Sequence, residues 1–537
     1  LSRNYLKMYK KIFLILFSFF LIHCESVTYD LVIKNGQVFD GSGAESKIVD
    51  IAIIGNTIIK VGNINSEKST RVVDASDLIV SPGFIDTHAH LDPMNNFIKL
   101  SESESHVRQG VTTSFGGPDG RGVPLKYGFK QYLDTIEKVG VGMNVGFLTG
   151  HNKIRRLVMN LDNREPTNDE LEDMKNLATK AMDEGAFGIS TGLKYLPGNF
   201  SNVHEVIAIS KEISNKGGIY TSHLRDEGLK IIDAIKEAIL ISKDADIKVV
   251  LTHHKVIGKP MWGKSAITLS LIDSARQKGI KIMADQYPYN ASHTGINVLI
   301  PTWARAGGRE EFKKRVSNKT TKEKIKKEIE FNILNDRGGN DLNRVQFSRV
   351  AWKPELEGKT LKDWAVMRGI EPSVKNGAEL VIEAELNGGA SCIFHAMDES
   401  DVENIMKYPH TMIASDGRLS EPGVGHPHPR AYGTFPRVLG RYVRDNKVIS
   451  MSEAIYKMTY LPAKAFGLKK RGLIKKGMMA DITIFDEEDI IDNATFESPH
   501  QYPDGIKYVI INGQFAVDNF EFMKIKAGKV LRKNQIN

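Results

Sequence analysis

Apolar positions change rhythm three times along the chain. Ile12 to Ile22 (IFLILFSFFLI) is an unbroken apolar run apart from Ser18, behind the short cationic stretch Met8-Tyr-Lys-Lys11. Such a run is too short to span a bilayer, which takes about 20 residues, but it suits the apolar region of a signal peptide starting at Met8 rather than Leu1. From 29 to 80 the pattern becomes alternating with tight turns. Leu31–Phe39 alternates around Asn35-Gly36, which predicts a hairpin, and Ile51–Val61 repeats the idea. The far end echoes both: Tyr508–Val517 nearly copies the first segment, and Ala480–Phe485 reads as another strand. The two ends, 29–80 and 465–537, are therefore expected to build one small β domain together.

Between them, over 81–464, buried strands alternate with helical segments. The expected strands are Gly83–Thr87, Thr112–Phe115, Asn144–Leu148, Ala186–Thr191, Gly218–Ser222, Val249–Thr252, Ile280–Asp285 and Thr411–Ala414. Helical periodicity fills stretches such as Asn168–Glu184, Asn202–Asn215 and Lys230–Ser242. Strand–helix alternation predicts a parallel α/β architecture, and eight strands suit a TIM-like (β/α)8 barrel. A charged segment around residues 304–345 breaks the rhythm and reads as an inserted helical lid over the barrel rim.

Composition narrows the function classes. With 537 residues, 41% hydrophobic and 26% charged, the chain can bury a sizeable core, which excludes wholesale disorder and a polytopic membrane protein. The net charge is +8, but Arg3, Lys7, Lys10 and Lys11 precede Cys24 where no acid stands. What remains is too small and too evenly spread to indicate a nucleic-acid partner. The two cysteines, Cys24 and Cys392, provide neither a disulfide framework nor a thiolate metal cluster. Leu21-Ile-His-Cys24 resembles a bacterial lipobox, with His23 where a small residue is usual. The expectation is an exported bacterial protein, periplasmic or held to a membrane only by a lipid on Cys24. Cys392, in the apolar run Ala390–Phe394, is read as a packed core thiol.

The chemistry is written at the predicted strand ends. Asp86-Thr-His88-Ala-His90 follows the first one, and alternation points both imidazoles at one spot, where they can share a divalent metal. His223 closes Gly218–Ser222. His253 and His254 close Val249–Thr252; adjacent side chains face opposite ways, and His253 shares its face with Lys255. Asp416 follows the last strand. Four histidines and an aspartate at the ends of four strands are placed where barrel active sites gather. A cation with a nearby carboxylate suits metal-assisted hydrolysis, most plausibly of an amide.

These residues resemble the amidohydrolase superfamily in Ser81–His90. They resemble the D-aminoacylase (N-acyl-D-amino-acid deacylase) family in Gly188–Gly198, Thr252–Lys255, Ile413–Gly417 and His428–Gly440. The resemblance runs from Tyr29 to Arg532. It implies a metal-dependent barrel beside a β-sandwich built from both termini. It implies that His223 and His253 hold a tight Zn2+ and that His88, His90 and Asp416 line a second, weaker metal position. Asp416 would also be general base and then general acid. Lys255, Tyr195 and Tyr287 would contact the substrate carboxylate or polarise its carbonyl, with Arg430 a further carboxylate partner. Where the family has a metal-binding cysteine in a Gly-Asn-Cys-Gly turn, this chain has Asp119 in Gly117-Pro-Asp-Gly120, so Asp119 is expected to be a ligand.

The implied substrate is a small N-acyl-D-amino acid or a peptide-like amide with a D residue. A cyclic amide hydrolase of the dihydroorotase or hydantoinase kind is the alternative; against it, the nearest candidate for a bridging lysine is Lys194, read as lying in a loop. A ligand-capturing surface lipoprotein would be expected to lack Asp416 or the histidines. No oligomeric state is read from the sequence.

Overall fold

Both ends of the chain are woven into one nine-stranded ladder. A computed structural model describes residues 28–535, apart from 66–67, 92–93, 124–127 and 340; the expected signal peptide and Cys24 lie outside the described residues. Across the ladder run Glu521–Phe522, Gln514–Asp518, Ile506–Ile511, Ile482–Phe485, Ile79–Pro82, Tyr29–Val38, Lys47–Ile54 and Thr57–Gly62. Ser69–Asp74 pairs in parallel with the first half of Tyr29–Val38. The seam is Ile482–Phe485 antiparallel to Ile79–Pro82. Alternate residues Leu31, Ile33, Ile51, Ile53, Ile482 and Ile484 share one apolar cluster, which is why the strands hold this register.

One predicted hairpin is corrected. Asn512-Gly513 turns the chain between two antiparallel strands, with φ of 49° and 82°. Asn35-Gly36, with nearly the same neighbours, lies inside the continuous strand Tyr29–Val38 and makes a register shift against Lys47–Ile54. Only Asn35 takes a positive φ there, so the dipeptide bulges the strand instead of reversing it.

The centre is an eight-stranded parallel barrel: β1 (Phe84–Asp86), β2 (Val111–Gly116), β3 (Asn144–Phe147, continued by Thr149–Gly150), β4 (Gly188–Gly192), β5 (Ile219–His223), β6 (Lys248–Leu251), β7 (Ile282–Gln286) and β8 (Thr411–Ile413). Neighbours from β1 to β8 pair in parallel. The chain past β8 closes on the chain past β1, with Asp416 N donating to His88 O at 2.8 Å and Gly417–Arg418 parallel to Ala89–His90. Ile85, Phe115, Phe187, Ile219, Val250, Met283 and Met412 pack together as a barrel layer, with Phe466 stacked on Phe115 at 4.1 Å.

Outer helices bury one stripe, and some begin at side-chain caps. Asn168–Asp183 starts at a Thr167/Glu170 capping box and turns Met174, Ala178, Ala181 and Met182 inward, the i, i+4, i+7, i+8 spacing of a helix on a sheet. Met174→Ala at such a site costs about 2–5 kcal/mol.

The excursion between β7 and β8 is larger than the predicted insert. It contains the antiparallel strands Ser292–Gly295, Val345–Arg349 and Ser391–Phe394, the helices Arg309–Ser317, Lys319–Asn335 and Val374–Leu386, and its own apolar cluster. Ile325, Ile329 and Ile333 face that cluster, Lys326 is buried against Glu379 at 2.7 Å, and Lys327 and Phe331 lie on the exposed side of the packed helix. Cys392 is free and fully buried there, and burial pushes its thiol pKa up. No helix among the described residues is long and apolar enough to cross a membrane.

Candidate metal centre

Six polar side chains converge just past the C-terminal ends of the strands. His88 and His90 follow β1, Asp119 follows β2, His223 ends β5, His253 follows β6 and Asp416 follows β8. All are buried. The backbone at Asp119, His253 and Asp416 is left-handed, with φ of 55°, 39° and 47°; the turn out of each strand bends the side chain inward at a cost in strain.

They form two groups with Asp119 in both. His88, His90, Asp119 and Asp416 form one; Asp119, His223 and His253 form the other. Within each, candidate ligand atoms all lie within 4.8 Å of one another. Asp119 Oδ1 is 3.3 Å from His253 Nε2, 3.6 Å from His223 Nδ1 and 3.5 Å from His88 Nε2, and its Oδ2 is 3.6 Å from His90 Nε2. Gly120 (φ 70°) permits this turn: a Cβ there would meet Asn152 Oδ1 at 1.9 Å. Asp416 Oδ1 lies 3.0 Å from His90 Nε2 and 3.4 Å from His88 Nε2, while Oδ2 pairs with Arg430 Nη1 at 2.9 Å.

Burial raises the Asp416 pKa, but Arg430, His253 and His88 hold its carboxyl well below the usual range. Burial raises Asp119 too, and His88 and His223 bring it well below. Both are anions at neutral pH. His88 Nε2 is buried and makes no hydrogen bond, although two carboxylates face it at about 3.5 Å. Clustered imidazole nitrogens and carboxylate oxygens around such an atom fit divalent cations bound by N and O donors.

A supporting layer stands behind these residues that sequence reasoning missed. Asp285 accepts from His253 N at 2.5 Å and from Thr87 Oγ1 at 3.0 Å. Asp86 accepts from the backbone N–H of His88 at 3.2 Å and of Ser415 at 2.9 Å; burial pushes its carboxyl up to about 6. Glu227 contacts Lys255, Arg337, His223 and His253. A charged residue in an otherwise apolar β-strand was a usable signal for Asp86 and Asp285; Glu227 and Arg337 sit in loops and had none.

The expected substrate contacts divide. A cavity of about 610 Å3 is lined by Asp119, Tyr195, Asn152 and, from the insert, Arg305, Arg309 and Phe312. A second, of about 550 Å3, is lined by His90, Asp416, Arg430, Arg418, Arg349 and His428. Lys255 and Tyr287 line neither. The Lys255 ammonium is drawn to Glu227 at 2.5 Å and His253 Nδ1 at 2.6 Å, and the Tyr287 ring lies under Arg430 at 4.6 Å. His254 bonds Thr268 at 2.9 Å, outside both metal groups. Lys194 pairs with Asp226 and Asp336, which raise its pKa against burial.

A parallel barrel carrying such a cluster at its strand ends defines a metal-dependent hydrolase. The amidohydrolase family model matches residues 361–517. The D-aminoacylase of Alcaligenes xylosoxydans xylosoxydans is 33% identical over 95% of this chain and 99% of its own. A solved D-aminoacylase structure, described for the functional role of its binuclear metal centre in one-metal activation and second-metal attenuation, aligns with a TM-score of 0.79 at 32% identity, over 94% of this chain and all of that one. The N-acyl-D-glutamate deacylase of Bordetella bronchiseptica, complexed with zinc and a phosphonate mimic of the tetrahedral intermediate, aligns with a TM-score of 0.78 at 29% identity, over 94% of this chain and all of that one. The chain belongs to the D-aminoacylase family of metal-dependent amidohydrolases.

Proposed function

We propose that this protein hydrolyses the amide of N-acyl-D-amino acids, releasing a carboxylate and a free D-amino acid, at a centre where Asp119, His223 and His253 would hold a zinc ion and His88, His90 and Asp416 would line a second, weaker position for a divalent cation. The observation that carries the reaction is Asp416: an anionic carboxylate against His88 and His90, pinned by Arg430, on the wall of an arginine-rich cavity. The D configuration is inferred from the relatives.

Cations held by these six residues would acidify water and polarise the scissile carbonyl. The chain supplies the rest. Asp416 Oδ1 accepts the nucleophile's proton and returns it to the leaving nitrogen. Arg430 holds Asp416 in one rotamer and keeps it ionised. Tyr195 and the cavity arginines receive the substrate carboxylate, while Lys255 and Tyr287 support the ligands and Arg430 from behind. The insert's share of the cavity wall supports its reading as a lid.

The test is amine release from matched N-acetyl-D and N-acetyl-L amino acids. Turnover of D substrates alone, reduced about 10²–10⁴-fold in Asp416→Ala, is the expected outcome; equal turnover of both enantiomers would sink the D reading. Export with a lipid on Cys24 is proposed on sequence alone, from the apolar run before it. Fatty-acid labelling that is unaffected by Cys24→Ala would exclude it.

A further inference from the structure

Glu227 is buried at 3% exposure and touches the far side of both imidazoles in the second metal group. Its Oε1 lies 3.1 Å from His253 Nδ1 and accepts from Lys255 Nζ at 2.5 Å. Its Oε2 lies 3.4 Å from His223 Nε2 and accepts from Arg337 Nη2 at 2.7 Å. The opposite nitrogens of the two rings, His223 Nδ1 and His253 Nε2, face Asp119. One carboxylate therefore sets the orientation of both rings. A carboxylate against the outward nitrogen orients a ring so that its inward nitrogen can meet a metal; at His253 Nδ1 it shares that place with Lys255 Nζ, 2.6 Å away.

The two cations on Glu227 have different origins. Lys255 lies two residues from His253, in the same loop. Arg337 belongs to the insert, two residues past the helix Lys319–Asn335, and is itself buried at 2% exposure. Its Nη1 donates to Ser292 Oγ at 3.3 Å. Its neighbour Asp336 faces Lys194 at 3.6 Å, and the helix end packs so tightly on the barrel loop that a Cβ on Gly258 would meet Asn335 O at 2.5 Å. The insert is thus joined to the metal ligands by a buried side-chain path.

We propose that Arg337 is a positioning residue: through Glu227 it holds His223 and His253 in aim, so metal affinity depends on the insert being seated on the barrel. Without the guanidinium, Oε2 keeps only the weak contact to His223, and Lys255 pulls the carboxylate towards Oε1. Coupling is reciprocal, so a bound cation also holds the insert in place. The inference rests on the metal reading above and adds to it a residue outside the barrel.

The test is competition for Zn2+ against a chromophoric chelator, and the visible spectrum of the Co2+-loaded protein, with the full chain. Arg337→Met and Glu227→Gln are expected to weaken the tighter site about 10–100-fold and to shift the cobalt bands. Arg337→Lys, which keeps the charge but not the fork, is expected to lose less. Ser292→Ala, which removes only the other partner of Arg337, is expected to match the unsubstituted chain. Unchanged zinc affinity and cobalt bands in Arg337→Met and Glu227→Gln would overturn the proposal, as would an equal loss in Ser292→Ala. If Arg337→Met fails to fold, Arg337→Lys decides: unchanged affinity and bands overturn it, a weaker site with shifted bands supports it. If the unsubstituted chain takes up neither ion, the metal reading falls and this proposal with it.

Discussion

Asp119 sends its two oxygens to different histidines, so its substitution separates a one-metal from a two-metal centre. Oδ1 faces His223, His253 and His88, and Oδ2 faces His90. Asp119→Ala should bind at least one divalent ion fewer per chain than the unsubstituted protein, counted by elemental analysis. Asp119→Cys should keep one zinc tightly, because a thiolate is the softer ligand, and lose the second. Unchanged stoichiometry in Asp119→Ala would remove Asp119 from the ligand set. His106 tests a different residue-scale effect. It is fully buried, and burial lowers its pKa from 6.5 to about 4. The unfolded chain takes up this proton first as pH falls, so the stability that neutral His106 contributes is present above pH 6.5 and lost towards pH 4, a change of at most about 3 kcal/mol. Asp86, 3.8 Å away and raised to about 6, runs the other way over part of that window. The difference between the protein and His106→Gln isolates the histidine. In chelator, the stability gap measured by urea unfolding should narrow as pH falls from 7.5 to 4.5; a constant gap would refute the assignment.

At the scale of elements, all eight barrel strands were legible in the sequence, because each is a short run of apolar, β-branched and small residues, and most are followed by helical periodicity. Their ends carried His88, His90, His223, His253 and Asp416, so most of the cluster could be found by asking what stands just past each run. Alternation loses its meaning where the backbone leaves the strand. Alternation selected His253 over His254, yet His253 already lies in a left-handed turn past Leu251, where alternation no longer holds. The insert was harder. Ser292–Gly295 pairs with Ser391–Phe394 across about a hundred residues, and no local pattern encodes such a contact. Only its charged helical part broke the rhythm enough to be noticed, so the strands and core around it were missed. The two Asn-Gly turns make the same point in small: nearly identical neighbours give a reversal at 512–513 and a bulge at 35–36, because the partner strand decides.

At the scale of the whole molecule, the barrel and the terminal sheet are locked together by one buried polar network at the far end of β3. Asp481, beside the seam strand Ile482–Phe485, accepts from Asn512 N at 2.7 Å through Oδ1. Its Oδ2 meets Asn144 Nδ2 at 3.3 Å and the Arg471 guanidinium. Asn512 Nδ2 donates to Asn144 Oδ1 at 2.8 Å and to Ala527 O at 2.8 Å. Asn144, Arg471 and Asn512 thus all bond a single carboxylate, and Asn144 begins the strand whose far end approaches the metal cavity. Asp481→Ala leaves Arg471 buried without its counter-charge, which costs about 3–5 kcal/mol. Because the network belongs to both parts, calorimetry should show one transition moved to lower temperature, with no early-melting sheet ahead of an intact barrel. Replacing the pair together, Asp481→Leu with Arg471→Met, removes the uncompensated charge and should recover part of the loss. If Asp481→Ala melts with the unsubstituted protein, or the paired replacement melts no higher than the single one, the network does not couple the two parts and their cohesion rests on the apolar seam alone.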